Sequence, residues 1–329
     1  MVDGMAEREK AVRFLSEEGF VLFPVGEKLD VSYRICRIPK NEKDINKGFR
    51  TLTIPNDFLK EIQRQILSGI LYNLPVSPIA HGSVPGHSPE THAKLHLESQ
   101  ARFRVDIADA FPSTTRKMLR KALVPLIRSS EKYRKANVLA NALSWACTYQ
   151  NSIPQGSPTG SYVFNLVCYQ LDLQLISICQ KFQLTLSRYT DDFQFSTKQP
   201  KIEKEARKAI VKTIKHYGFQ INRKKIKYNT GKAIVPKITG ITLLKEARMG
   251  LPGKLIERYR AIIFNATRNK DINPGQVWGI LGWVRNIYGE KLPNRLQKPF
   301  LEFLKARCPN KIHKFIHLVT LPVDQIESK

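Results

Sequence analysis

Apolar residues recur at helical spacing over residues 5–18, where Ala11, Val12, Phe14 and Leu15 form one stripe. From 31 to 54 the rhythm changes to an alternation of apolar and basic residues around a turn-rich centre at 39–48. That pattern predicts a basic β-hairpin with strands at 33–38 and 49–54. Pro55-Asn56-Asp57 then opens a helix whose face is Phe58, Leu59, Ile62, Ile66 and Ile70. Residues 75–90, rich in Pro, Gly, His and Ser, read as loop. A strand over 101–107 carries Asp106 at its end, and Pro112 begins a helical region. A turn at 154–159 feeds one apolar helix over 162–182. Leu184 and Leu186 precede, and Phe193 and Phe195 follow, the tetrapeptide Tyr189-Thr190-Asp191-Asp192, which reads as strand, tight turn, strand. A basic helix at 201–217 stops at Gly218, and short strands follow at 225–229 and 234–244. Beyond Pro252 the pattern is helical throughout, at 253–270, 274–288 and 294–306, so a domain boundary is expected near 250.

Charge narrows the choice of partner. The chain has 329 residues and a formal charge of +26, with 42% hydrophobic residues, enough to bury a core. Lys and Arg neutralise phosphates and release counterions, so a nucleic acid is the expected partner. An anionic membrane surface is the rival, but the basic residues are spread along the whole chain. No apolar run reaches the roughly 18 residues that span a bilayer, and residues 1–10 are charged and lack the apolar core of a signal peptide. Five cysteines, odd in number and without metal-site spacing, fit a reducing cytoplasm with neither disulfides nor zinc. The expectation is a cytoplasmic protein without a membrane partner.

Five segments then carry candidate chemistry. Adjacent residues of a strand face opposite sides, so Asp191 and Asp192 cannot both point the same way. Asp106 ends its own strand, with Asp109 and Phe111 just beyond. Nucleotide polymerisation uses two divalent cations about 3.5–4 Å apart, and Mg²⁺ is commonly held by one or two carboxylates plus phosphates. Asp106 and Asp191, on adjacent strand ends, would supply that clamp, with Asp192 beside it. Phe111 would lie under the incoming sugar and exclude a 2′-hydroxyl; packing in the core is its competing role. Gly156, in the stretch 153–159, permits close backbone approach, and Gln155 offers both a donor and an acceptor to a nucleotide or template. In the basic hairpin, Lys40 and Arg50 are placed to close over a triphosphate, against the alternative of solvated surface charge. Lys225, preferred to Lys224, is a candidate general acid toward departing pyrophosphate.

In this order these residues resemble a reverse transcriptase. Residues 106–111 are similar to that family's first catalytic strand, 154–158 to its Gln-Gly loop, and 189–192 to its Tyr-x-Asp-Asp turn. Lys40 with Arg50 resembles its fingers pair, and 218–225 the segment bearing its helper lysine. The resemblance runs from about 30 to 245, with helical residues 250–310 suiting a thumb. It implies an α+β right-hand polymerase: an N-terminal helical extension at 1–30, fingers at 31–100, a palm of antiparallel sheet plus helices at 101–248 and a helical thumb from 249 to 329. Part of 113–150 is expected to pack with the fingers. It also implies Asp106, Asp191 and Asp192 as catalytic carboxylates. Two Mg²⁺ ions, or Mn²⁺ in their place, would sit on these three and on Ile107, and Asp109, Ala110, Phe111, Gln155, Lys40, Arg50 and Lys225 would hold the nucleotide.

The bacterial retron type is the most similar. The loop Ala80-His81-Gly82 followed by Thr91-His92-Ala93-Lys94-Leu95-His96 resembles the retron Asn-Ala-x-x-His element with His92 in place of Asn, and Ile238-Thr239-Gly240 resembles its Val-Thr-Gly element. Thr190 stands where Ala is more usual, at the place of the primer end. The type implies copying of a structured noncoding RNA into RNA-linked single-stranded DNA (msDNA), begun from a 2′-hydroxyl, in defence against phage. Partners would be that RNA and its RNA–DNA product, dNTPs, and a separate effector protein. Basic residues of the C-terminal helices (Lys254, Arg258, Arg285 and Arg295 first among them) would bind RNA together with His92 and His96. Tyr259 and Tyr288 are candidate stacking platforms, whereas Trp278 and Trp283 fit the thumb core better. The histidines at 81, 87, 92 and 96 do not have the compact spacing of a zinc set. Two other readings compete: a defence reverse transcriptase that works without branched priming, and a noncatalytic RNA-binding scaffold.

Overall fold

The N-terminal stripe forms helix α1 (Met5–Glu17), which buries Ala11, Val12 and Leu15. This computed structural model describes residues 4–23, 29–39, 48–130, 132–231 and 236–319. Strands β1 (Tyr33–Pro39) and β2 (Phe49–Pro55) pair antiparallel with Arg37 opposite Thr51, the hairpin that alternation predicts. Asn56 caps α2 (Asp57–Gly69) by accepting from the Leu59 N–H at 2.9 Å, and the apolar face of α2 buries Leu59, Ile62 and Ile66.

The chain divides into two compact units: Met1–Ser88 with Ser99–Thr230, and Pro89–Glu98 with Gly231–Lys329. The division falls at 230, ahead of the composition change near 250. It also assigns the short helix α3 (Pro89–Lys94) to the second unit.

In the first unit, β3 (Ala101–Asp106) is followed by α4 (Ala110–Ser113), α5 (Arg116–Arg128) and α6 (Ala136–Ala146). Hydrogen bonds from Gln63 to the Ala146 carbonyl, and from the Tyr133 hydroxyl to the Gly69 carbonyl, tie this helical region to α2. The single helix expected over 162–182 is two helices, α7 (Gly160–Val167) and α8 (Tyr169–Lys181), bent by 53°. The two pack differently. From Tyr162 to Val167 every residue is buried, whereas α8 buries one face, Leu171, Asp172, Leu175 and Cys179. Among the described residues no single helix is long and apolar enough to cross a membrane.

Strands β4 (Thr185–Tyr189) and β5 (Asp192–Thr197) form the double-Asp hairpin, and α9 (Lys204–His216) leads to β6 (Lys227–Thr230). The antiparallel sheet has the order β4-β5-β3-β6. All six residues of β5 are buried, as befits a central strand.

In the second unit the strand expected over 234–244 is a hairpin, β7 (Lys237–Ile238) and β8 (Ile241–Leu243), joined in a three-stranded sheet by β9 (Met249–Gly250). Its two-residue loop is Thr239-Gly240, with φ of 46° and 85°. Two consecutive positive φ values make the tight hairpin turn that splits the strand. Helices α10 (Gly253–Arg268), α11 (Pro274–Tyr288), α12 (Asn294–Arg307) and α13 (Ile312–Phe315) complete the unit. Their core includes Ile263, Val284, Leu296, Phe300 and Phe303.

Candidate active site

Strand register brings the acids together. Asp106 sits opposite Asp192 in the β3–β5 ladder, and Tyr189 pairs with Asp192 across the hairpin, leaving Thr190 and Asp191 as a two-residue loop. The Ile107 N–H donates to the Asp191 carbonyl at 3.0 Å, which fastens the loop to the end of β3. From the other side the Asn222 N–H donates to the Asp106 carbonyl at 2.8 Å.

Thr190 has φ 56°, a left-handed conformation that a β-branched residue rarely adopts. Its surroundings hold it there. The Arg188 guanidinium donates to the Thr190 carbonyl at 2.9 Å, to Asn165 Oδ1 at 2.8 Å and to both oxygens of Asp172. Asn165 in turn donates to the Gly82 carbonyl at 2.8 Å. A Cβ on Gly82 would lie 2.6 Å from the Thr190 nitrogen, so only glycine lets loop 79–82 press against the turn. Burial alone would lower the pKa of Arg188, but Asp172 beside it holds the guanidinium above its ordinary value.

A cleft of about 830 Å³ opens over this turn. Asp106, Ile107, Asp109, Ala110, Phe111, Gln155, Asp191, Lys225 and Arg50 all line it. Phe111 is half-buried and stacks on Phe164 with centroids 5.8 Å apart, so its ring has one fixed side and one open to the cleft. The Thr53 N–H donates to the Gln155 carbonyl at 2.6 Å, docking the Gln-Gly loop on β2. Lys40 lies outside the described residues.

The three acids have different surroundings. Asp106 accepts from Lys225 Nζ through both oxygens at 2.9 Å, so a cationic group already occupies its carboxylate. Burial, and then the like charge of Asp106, push the Asp191 carboxyl above its usual value. Asp192 is absent from the cleft lining and binds Arg104 through two nitrogen–oxygen pairs at 2.7 and 2.6 Å. Burial raises its carboxyl too, against the pull of Arg104. Among the described residues no three His, Cys, Asp or Glu side chains converge as a metal-binding set. Asp106 and Asp191 offer the smaller donor set, two carboxylates to be completed by phosphates, on which Mg²⁺ is commonly held. Their mutual repulsion, and the lysine drawn onto Asp106, mark a place that favours added positive charge.

In the second unit His92 and His96 are fully buried, with ring centroids 5.9 Å apart. Both rings are enclosed by the protein here, so a role toward RNA would require them to become accessible. Lys254 and Arg258 are exposed on α10, while Arg285 pairs with Glu290 at 3.2 Å and Arg295 with Glu257 at 2.7 Å. Trp278 packs edge-on against Phe300 and Phe303 in the core. The Tyr288 hydroxyl accepts from the Leu251 N–H, so this ring is a structural tie.

Sequence reading missed Arg104, Arg188, Asp172 and Asn165, and it noted Gly82 only as part of a loop, without its contact to Thr190. A signal existed for two of them: Arg188 is the one charge in β4, beside the apolar Leu186, and Asp172 is the one acid in the apolar stretch 160–181. A charge in each of two buried neighbouring segments invites pairing.

Residues 38–248 match the family described as Reverse transcriptase (RNA-dependent DNA polymerase). Over 267 residues the chain is 28% identical to the Retron Mx65 reverse transcriptase of Myxococcus xanthus, covering 77% of this chain and 62% of that protein. To the Retron Mx162 reverse transcriptase of the same organism it is 30% identical over 253 residues, 69% of this chain and 52% of that protein. The chain therefore spans less than two thirds of the length of these relatives. The telomerase of Candida albicans, solved in complex with a TWJ fragment of telomeric RNA, aligns with a TM-score of 0.52 over 97% of this chain and 62% of that one. At 12% identity that likeness concerns the fold.

Proposed function

The chain belongs to the reverse transcriptase family, and from that premise we propose that it is the RNA-directed DNA polymerase of a retron, copying a structured noncoding RNA into DNA that stays joined to the RNA. The observation that supports this most is the meeting of Asp106, Asp191, Arg50, Phe111 and Gln155 around one cleft, drawn from separate stretches of chain.

The roles follow from placement. Asp106, Asp191 and the Ile107 carbonyl, with Asp192 beside them, would hold two Mg²⁺ ions or Mn²⁺ in their place. When bound, these cations supply the charge that activates a primer hydroxyl and steadies the leaving pyrophosphate. Arg50 grips phosphate oxygens through paired donors. Gln155 positions the nucleotide or the template beside it. Phe111, backed by Phe164, bears on the sugar and disfavours a 2′-hydroxyl. Lys225, now on Asp106 and lining the same cleft, would give a proton to the leaving group.

In this reading residues 31–100 are fingers, 101–248 the palm and the helical residues from 249 the thumb. The exposed Lys254 and Arg258 take RNA backbone. The partners are a cognate noncoding RNA, its RNA–DNA product, dNTPs and a separate effector in defence against phage.

The test is dNTP incorporation on an RNA template, with and without Mg²⁺, by the protein and by Asp191→Ala and Asp192→Ala. Loss of synthesis with retained RNA binding is expected. Incorporation that survives both changes would overturn the site. Treating the copurified DNA with a debranching enzyme checks the retron type: DNA without 2′,5′-linked RNA would leave a reverse transcriptase of another priming mode.

A further inference from the structure

Helix α5 is two-sided. Leu119, Leu123, Leu126 and Ile127 are buried, while Arg116, Lys117, Arg120 and Lys121 recur at i, i+1, i+4 and i+5 along the flank beside them. These four cations line an open groove of about 630 Å³ that also takes in Trp145 of α6 and Asn151. Its lining contains no acidic residue. Among the described residues no carboxylate pairs with Lys117, Arg120 or Lys121. The Arg116 guanidinium lies over the Trp145 ring, 3.3 Å from its centroid, which fixes one cation of the cluster in place. Four cations held together without a counter-charge repel one another, and a polyanion relieves that repulsion.

The groove shares no lining residue with the catalytic cleft, but a short rigid segment joins the two. Asn151 lines the groove, and Pro154 and Gln155 line the cleft. Hydrogen bonds from the Arg116 N–H to the Asn151 carbonyl and from the Ile153 N–H to the Thr114 carbonyl (3.1 and 3.2 Å) hold that segment against the start of α5. Four residues reach at most about 14 Å, so the edge of the groove at Asn151 lies within that distance of Gln155 in the cleft.

We propose that this groove binds the sugar–phosphate backbone of a double-helical segment of the RNA whose single-stranded part serves as template. The proposal rests on the polymerase reading for the identity of that RNA. An open, basic, weakly shaped groove suits a duplex, since paired RNA is recognised by shape and through its backbone. Arg116 and Arg120 provide planar forks for phosphate, and Lys117 and Lys121 mobile point charges. The groove thus anchors the folded part of the template while the adjoining strand is copied.

The experiment uses the full chain and the triple variant Lys117→Gln, Arg120→Gln, Lys121→Gln. Affinity for an RNA hairpin with a single-stranded 3′ extension is measured across a salt series, beside incorporation on a linear oligonucleotide template–primer. Each phosphate that is no longer neutralised should flatten the log–log salt dependence by about 0.7–0.9. A flattening of about 2 to 3 for the hairpin is therefore expected, with incorporation on the linear template kept. An unchanged hairpin slope overturns the groove. Failure of incorporation by the unmodified protein, with the hairpin slope still moved by the variants, would sink the polymerase reading and leave the groove as an RNA site. Displacement of the hairpin by polyglutamate at equal charge concentration would assign the groove to an acidic protein and overturn the proposal. If the triple variant fails to fold, Lys117→Gln and Lys121→Gln singly, both at exposed positions, should each reduce the slope by about the share of one phosphate.

Discussion

Arg188 and Asp172, both fully shielded from solvent, hold each other through three nitrogen–oxygen hydrogen bonds of 2.6–3.2 Å. The pair stands one step from the candidate chemistry, because the same guanidinium carries the Thr190 carbonyl at the apex of the Asp191 turn. Burying both charges is costly, and good geometry with the donors satisfied offsets that cost.

Breaking the pair should therefore separate stability from positioning. Arg188→Met leaves the Asp172 carboxylate buried without its partner, which costs about 3–5 kcal/mol. The double variant Arg188→Met, Asp172→Leu removes both charges and should recover most of that stability. It does not restore the hydrogen bond to Thr190, so nucleotide incorporation should stay low in a protein that is again stable. Denaturant unfolding and single-turnover incorporation, measured on the same three proteins, decide the matter. Full activity in the double variant would show that the turn holds its left-handed Thr190 unaided.

Much of this arrangement could be read before the structure, and the part that could not has a physical reason. The double-Asp turn, the end of β3, the Gln155 loop and Arg50 each carry local signals: an acid at a turn, a proline-stiffened glycine loop, alternation in a hairpin. The bracing by Arg188, Asp172, Asn165 and Gly82 joins residues 16 to 83 positions apart, and no local pattern encodes such a closure. The bend between α7 and α8 escaped because an apolar run has no periodicity that distinguishes one helix from two. The Thr239-Gly240 turn was visible as a motif, yet its meaning as a strand-splitting hairpin depends on a positive φ at a threonine. His92 and His96 were expected at RNA through the resemblance of 91–96 to a retron element, and their burial is a tertiary property that this local motif does not encode.

Phe111 has two candidate roles, and they predict different outcomes. Its ring packs on Phe164 and also lines the cleft. If it bears on the sugar, Phe111→Ala should raise the kcat/KM for ribonucleotides relative to deoxynucleotides, since crowding a single added group is worth about 10–200-fold in discrimination. Competition between GTP and dGTP opposite a template cytosine gives the ratio directly. An unmoved ratio, with only a fall in stability, would leave Phe111 as a packing partner of Phe164.

His81 makes the protein sensitive to acid. Its backbone N–H donates to the Arg188 carbonyl at 2.8 Å, and its ring lies 4.5 Å from that of His87. Burial first, and His87 second, lower its pKa from 6.5 to about 4. In the unfolded chain the imidazole takes up its proton near pH 6.5, whereas in the folded protein it stays neutral until about pH 4. The unfolded state therefore binds more protons within that window, and stability rises with pH across it. The contribution is complete above pH 6.5 and disappears as the pH falls toward 4. His81→Phe removes this titration, so the stability of the wild-type protein relative to the variant should decline steadily from pH 6.5 to 4 in urea unfolding. His87→Ala, which removes the neighbouring like charge, should narrow the window from its acid side. A wild-type-to-variant difference that is flat with pH would mean that the imidazole at 81 is as free to protonate in the fold as in the unfolded chain.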